Sequence, residues 1–302
     1  SVSDLAAWYE DHDYGFLVVT DHDKVADVGE WKGEMLVIPG AELSVCWDDT
    51  FGAEICALGI DEVRAKGVSP QQVIDDVLDQ SGVPIVSHPH LSGVYSGLMK
   101  DVQRLVGLEV FNAVAYAWGG GRGFASTHWD DMLTAGRMIW GVASDDRHSG
   151  TDPEGKTYDR GKGWVMVKSE ECTRKGILEA MHDGHFYSST GPQIDDITVT
   201  DEEVHVRCSP AKSVSFITLP WMGGAVRAEP GETITEAKMS LNKLANPEKT
   251  AQFNESLVER KFLSRPADVG QYFRVEVFDG DEGYAWSNPI SLDEVKADRH
   301  ED

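Results

Sequence analysis

Through the first two thirds of the chain, short apolar runs alternate with amphipathic helical stretches, and this alternation restricts the fold more than any other feature. Residues 16–20, 35–38, 54–60, 83–86, 107–110 and 138–143 read as buried strands, the second ending at Pro39-Gly40. Between them the spacing predicts helices. One is capped by Ser3 and runs to about Asp13, where Gly15 stops it. Ser69-Pro70-Gln71-Gln72 opens another with a capping box and a proline at its first helical position, and further helices fit 96–105 and 126–135. Strands separated by helices of this length imply parallel pairing, hence a barrel or a doubly wound sheet.

The pattern changes near Ser188. Residues 197–200, 204–208 and 273–278 alternate apolar with polar, as half-exposed antiparallel strands do, and Asp201-Glu202-Glu203 suits a turn between the first two. A separate β-rich domain is therefore expected over 191–302, behind an α/β domain over 1–190. The polar stretch 233–259 reads as a long loop or a short helical insertion.

Fifty-two acidic residues against 27 basic ones give a net charge of −25. A surface this acidic repels phosphate backbones, so nucleic acid is excluded as a partner. The longest apolar runs are far too short for a bilayer, and no segment reads as a signal peptide. Cys46, Cys56, Cys172 and Cys208 are widely spaced and form no CxxC, the pattern of reduced, mostly buried thiols in a cytoplasmic protein.

Chemistry gathers just after the strands. Thr20-Asp21-His22-Asp23 follows the first, Glu42 the second and His88-Pro89-His90 the fourth. Glu109 and Asn112 end the fifth, and Asp145-Asp146-Arg147-His148 follows the sixth. In a parallel α/β fold these ends share one rim, where active sites assemble. Imidazole suits zinc, manganese or iron, and a carboxylate can bridge two ions. Any one of these residues alone has an ordinary structural explanation. Glu42 is more telling, because a carboxylate beside an apolar strand must be paired or metal-bound.

In this order the segments resemble the PHP (polymerase and histidinol phosphatase) superfamily. Its T-D-H corresponds to Thr20-Asp21-His22, its Pro-Gly-x-Glu to Pro39-Gly40-Ala41-Glu42, its H-P to His88-Pro89 and its D-x-H to Asp146-Arg147-His148. The resemblance covers about residues 1–190 and implies a distorted (β/α)7 barrel with two or three divalent metal ions. His22, Glu42, His88, Asp146 and His148 would be the ligands, with Glu42 as the bridge. A narrower likeness, to the carbaryl-hydrolase branch (CehA/McbA-type metallohydrolases), is carried by Leu108-Glu109-Val110-Phe111-Asn112, His128-Trp129-Asp130-Asp131, Phe186-Tyr187-Ser188-Ser189-Thr190-Gly191-Pro192 and Ala285-Trp286-Ser287-Asn288-Pro289-Ile290. It implies hydrolysis of a carbamate or related ester, with a small molecule as the substrate.

One departure matters: PHP proteins begin with a strand carrying H-x-H and then S-D-G, and this chain shows neither. Either the natural N-terminus lies outside this sequence or a full site has been lost; the intact remaining ligands favour the former. The reaction implied is addition of a metal-bound hydroxide to a carbonyl carbon or to phosphorus. Asp146 is the candidate general base, and His148, His90 or Arg147 would assist the leaving group. His90 is also a candidate third-metal ligand or substrate contact. A phosphoesterase and a non-catalytic metal-binding domain are the competing readings; Lys24, Arg122 and Arg147 are the cations near the rim. Gly119-Gly120-Gly121-Arg122-Gly123 reads as a flexible loop, and His128 as a packing residue. Trp47, Tyr95, Phe111, Tyr116 and Trp118 would line an aromatic pocket suited to a flat, uncharged ligand.

Overall fold

The computed structural model describes residues 1–47, 52–64, 68–148, 159–220, 222–245 and 271–292. The chain divides into two compact units, one of residues 1–132 with 139–186 and the other of 133–138 with 187–302.

In the first unit, α1 (Val2–Glu10) leads into β1 (Phe16–His22), β2 (Leu36–Cys46) and β3 (Gly52–Leu58). Then come α2 (Pro70–Leu78), β4 (Val83–Val86), α3 (Pro89–Ser92), α4 (Ser96–Met99), β5 (Gly107–Asn112), α5 (Ala113–Gly119), α6 (Ser126–Thr134) and β6 (Trp140–Ser144). The expected (β/α)7 barrel is not what these elements build. The chain is sheet-rich, 38% strand and 24% helix, and β1 to β6 form one sheet in sequence order. Its pairing is mixed: β1–β2, β4–β5 and β5–β6 are parallel, whereas β2–β3 and β3–β4 are antiparallel. The reason is the connection between β2 and β3. Residues 47–51 are too few to carry a strand back over the sheet, a crossover that takes a dozen or more, so the chain folds back as a hairpin. The sheet is also open at β1, whose outer edge pairs with no strand among the described residues. β7 (Trp164–Val167) stands outside this order, and Lys168 just beyond it donates its backbone N–H to the carbonyl of His185.

Several local expectations shift for identifiable reasons. Ser1, not Ser3, caps α1 by accepting from the Asp4 backbone, and Asp4 completes the capping box. The helix stops at Glu10, whose carboxylate accepts the Glu34 and Met35 backbone N–H groups at 2.7 Å each and so ties α1 to the entry of β2. Pro39-Gly40 does not end a strand. β2 runs through it to Cys46, because Gly40 lets the backbone approach β3 so closely that a Cβ would lie 2.7 Å from the Ala57 carbonyl oxygen. The helix expected over 96–105 ends at Met99, and Arg104 stands at φ +61°, incompatible with a right-handed helix. The glycine-rich stretch is structured: α5 passes into a 3₁₀ turn, Gly120–Gly123, in which a Cβ on Gly123 would collide with the Tyr116 backbone. Beneath the sheet lies a core of Ile38, Leu58, Val83, Ile85, Ile177, Leu178 and Met181, each burial worth roughly 1.5–3 kcal/mol.

In the second unit, β9 (Ile194–Val199) and β10 (Glu203–Ala211) form the hairpin that the alternation predicts, with the Thr200 N–H donating to the Glu203 carbonyl. β13 (Ile234–Ser240) pairs on the far side of β10, and α8 (Leu241–Ala245) follows it. A strand and a short helix thus occupy the start of the polar stretch expected as a long loop or a short helical insertion; its remainder beyond Ala245 lies outside the described residues. Val204, Val206, Val214, Phe216, Phe273, Val275 and Val277 form this unit's core. All four cysteines are free, but Cys46 and Cys172 are exposed rather than buried. No helix among the described residues is long and apolar enough to cross a membrane.

Candidate metal centre

The parallel pair β1–β2 sets His22 directly opposite Glu42, and the hairpin sets Glu42 opposite Cys56 and Ser44 opposite Glu54. Residues two apart on a strand share a face, so Glu42 and Glu54 project together. His88 arrives from the end of β4. The chain around His22 is held by Asp23, whose N–H donates to the Glu42 carbonyl at 2.8 Å and whose carboxylate accepts the Ser44 N–H at 2.9 Å.

Each carboxylate faces two imidazoles. Glu42 presents Oε1 to His88 Nε2 at 3.4 Å and Oε2 to His22 Nδ1 at 3.7 Å. Glu54 presents Oε2 to His88 Nε2 at 3.4 Å and Oε1 to His22 Nδ1 at 3.5 Å. His22 Nε2 in turn lies 3.2 Å from His148 Nε2. Two ligand atoms bound at 2.0–2.1 Å to one tetrahedral cation stand about 3.3 Å apart, so these separations suit shared ions. Glu42, Glu54 and His88 alone offer three ligand atoms that all lie within 4.8 Å of one another.

The tautomers agree with that role. A carbonyl only accepts, so His148 Nδ1 donates to the Asp146 backbone oxygen at 2.8 Å and turns the Nε2 lone pair toward His22. His88 Nδ1 lies 2.8 Å from Ser92 Oγ, which leaves Nε2 to the carboxylates. The two ligand-bearing turns are strained: His88 stands at φ +26° and Asp146 at φ +52°.

Electrostatics shows the carboxylates of the site crowded against one another. Burial pushes the Glu54 carboxyl up, and the negative charge of Glu42 adds to it. Asp146 is raised by the same two causes. Burial lifts Glu109 to about 7. Burial opposes ionisation of Glu42 as well, but hydrogen bonding with His88 and Ser87 outweighs it and holds the group below the usual carboxylate range. For His88 burial favours the neutral ring, yet the Glu42 hydrogen bond and the charges of Glu109, Glu42 and Asp146 raise it to about 9. A divalent cation would relieve this crowding, so the donor set fits one.

No family model matches the chain, and neither does any curated protein.

Of the residues expected at the site, His22, Glu42, Asp146 and His148 line one cavity of about 990 Å³, and His88 joins them through Glu42. Glu54 is a member that the sequence reading misses. Its signal is a lone carboxylate inside the apolar run Ala53-Glu54-Ile55-Cys56, but only the hairpin register turns it toward Glu42. Arg147 also lines the cavity, but its Nη1 donates to the buried Asp159 at 3.2 Å, and Asp159 also accepts the His148 backbone N–H at 3.0 Å. His90 is exposed, outside the cavity lining; its Nδ1 donates to the Phe124 carbonyl at 2.9 Å, and its ring lies 5.3 Å from His128. Of the expected aromatics, Trp118 lies 6.4 Å from the His148 ring, while Phe111 packs into the core.

The cavity extends from these ligands along the open edge of β1, where Trp8, Tyr14, Phe16, Val18, Trp164 and Val165 line it. At its inner wall Asp145 accepts four hydrogen bonds, from the Tyr9 hydroxyl at 2.5 Å and from the backbone N–H groups of Gly161, Lys162 and Gly163 at 2.6, 2.7 and 3.0 Å.

Proposed function

We propose that the chain is a metal-dependent hydrolase that cleaves an ester or carbamate bond. The observation that carries this reading is the double role of Glu42 and Glu54, each offering one oxygen to His88 and the other to His22. Carboxylates shared between imidazoles in this way are donors that suit divalent cations, with zinc, manganese or iron as the ions these ligands would take. His88, Glu42, Glu54 and His22 would hold them, with His148, 3.2 Å from His22, and Asp146 as further candidates. Bound cations would supply Lewis acidity, polarising the electrophile and lowering the pKa of water. Asp146 is the residue to take the proton: its carboxyl is raised by burial, and Asn112 Nδ2 donates to its Oδ2 at 3.2 Å. The order of ligand-bearing segments that resembles the PHP superfamily supports the same chemistry, although the barrel that the resemblance implies is absent.

A carbonyl ester ranks ahead of a phosphate on the disposition of the cations. Lys24 is paired with Asp21 at 3.0 Å and Arg147 with Asp159 at 3.2 Å, so both of these cations already face a carboxylate. The apolar wall along β1 likewise suits an uncharged ligand.

The test loads the protein with zinc, manganese or iron, measures bound metal, and assays 1-naphthyl N-methylcarbamate, aryl acetates and aryl phosphates. Metal binding with faster turnover of the carbonyl esters is expected. E42Q and E54Q should each lower bound metal and abolish most turnover, because either change removes an anionic donor. Preference for phosphates by tenfold or more, about 1.4 kcal/mol in transition-state binding, would make the protein a phosphoesterase. Metal uptake without turnover of any of them would leave a non-catalytic metal-binding domain.

A further inference from the structure

Glu109 lies on β5, between β4, which leads to His88, and β6, which leads to Asp146. Its side chain is buried and reaches both. Oε2 accepts the His88 backbone N–H at 2.7 Å and an Asn112 Nδ2 hydrogen at 2.7 Å, while Oε1 accepts the Ser144 hydroxyl at 2.5 Å. The same Asn112 nitrogen donates onward to Asp146 Oδ2 at 3.2 Å, and Asn112 Oδ1 is itself fixed by the Ala115 N–H at 2.8 Å. One carboxylate therefore grips the strained turn at His88 directly and the strained turn at Asp146 through Asn112 and Ser144. A residue at φ +26° does not stay there unless its surroundings hold it, and the bond from the His88 N–H to Glu109 is such a hold. A buried carboxylate that takes three donors inside the protein is a connected network rather than an isolated charge.

We propose that Glu109 is the positioning residue of the metal centre: it sets the separation of His88 from Asp146 through its hydrogen bonds. This rests on the metal reading above. Residues that hold a metal's ligands in place commonly change metal affinity 10–100-fold when removed. A glutamine at this position keeps the hydrogen-bond count, since its oxygen can accept from His88 and Asn112 and its amide can donate to Ser144 Oγ. An alanine keeps none of it.

The test uses cobalt(II) as the probe, because its visible absorption reports ligand geometry as well as binding. The whole chain and its E109A and E109Q variants are titrated and checked for folding by circular dichroism. E109A should bind cobalt 10–100-fold more weakly with a displaced absorption band, and E109Q should return to within about threefold with the band restored. Equal affinity and spectrum in E109A and the unchanged chain would overturn the proposal, and so would E109Q as weak as E109A. If E109A does not fold, N112A decides, since it cuts the link to Asp146 and leaves Glu109 on His88. A shifted band with weaker binding in N112A supports the proposal, and behaviour identical to the unchanged chain overturns it. Failure of the unchanged chain to bind cobalt would instead sink the metal reading, and this inference with it.

Discussion

Asp145 offers the clearest perturbation in the first unit. Its two oxygens accept four hydrogen bonds, Oδ2 from the Tyr9 hydroxyl and the Gly161 N–H, Oδ1 from the Lys162 and Gly163 N–H groups. In D145N one oxygen becomes an amide. With the remaining oxygen toward Lys162 and Gly163, the Tyr9 hydroxyl can reverse and accept, but the Gly161 N–H then faces another donor. Stranding that donor costs about 1–3 kcal/mol. The three surviving bonds fall from charged to neutral strength, a loss of roughly 1 kcal/mol each. The sum is about 4–6 kcal/mol, tempered because a substituted site relaxes. Hydrogen exchange reads it directly: at 1.4 kcal/mol per tenfold, the amides of residues 161–163 should exchange about a thousandfold faster in D145N. Y9F removes one donor without stranding another, and its effect should be about tenfold. An acceleration below tenfold in D145N would refute the assignment of Asp145 as the anchor of this segment.

Two further outcomes follow from the same geometry. His88 is raised to about 9, so it contributes stability that is fully present below its unfolded value near 6.5 and lost as pH rises through 9. Because a metal needs the neutral ring, manganese affinity of the whole chain should climb up to tenfold per pH unit between about 7 and 9 and then level off; a plateau already reached at pH 7, followed by the paramagnetic signal of free manganese, would contradict the raised value. G141A should destabilise the first unit by about 1–3 kcal/mol in urea unfolding, since a Cβ there would lie 2.6 Å from the fully buried Trp129 ring, which is pinned by its Nε1–H bond to the Ile139 carbonyl; an unchanged midpoint would mean that the ring moves freely.

Much of the candidate site is legible in the amino-acid sequence, because each ligand type sits at a break in hydrophobic patterning. His22 and Asp146 stand where apolar runs stop, and Glu42 stands where a charge interrupts one. Glu54 is equally conspicuous inside Ala53-Glu54-Ile55-Cys56, but under a parallel reading of the sheet it has no partner. The hairpin between β2 and β3 reverses that segment and sets Ser44 against Glu54, which carries Glu54 beside Glu42. Glu109 is visible as a polar strand end, yet nothing local distinguishes a ligand from the residue that holds ligands in place. That distinction comes from its bonds to His88 and Ser144, residues 21 and 35 positions away.

Local composition therefore carries the six strands of the first sheet, the β9–β10 hairpin, most helix starts and the residue types of the centre, since periodicity, capping and burial act over a few neighbours. Strand direction and the meeting of two glutamates with two histidines come from contacts between distant segments. Periodicity says which face of a strand is buried but not which strand lies beside it, or in which sense. Those are settled by the length of the connection at 47–51 and by which apolar faces can be covered together.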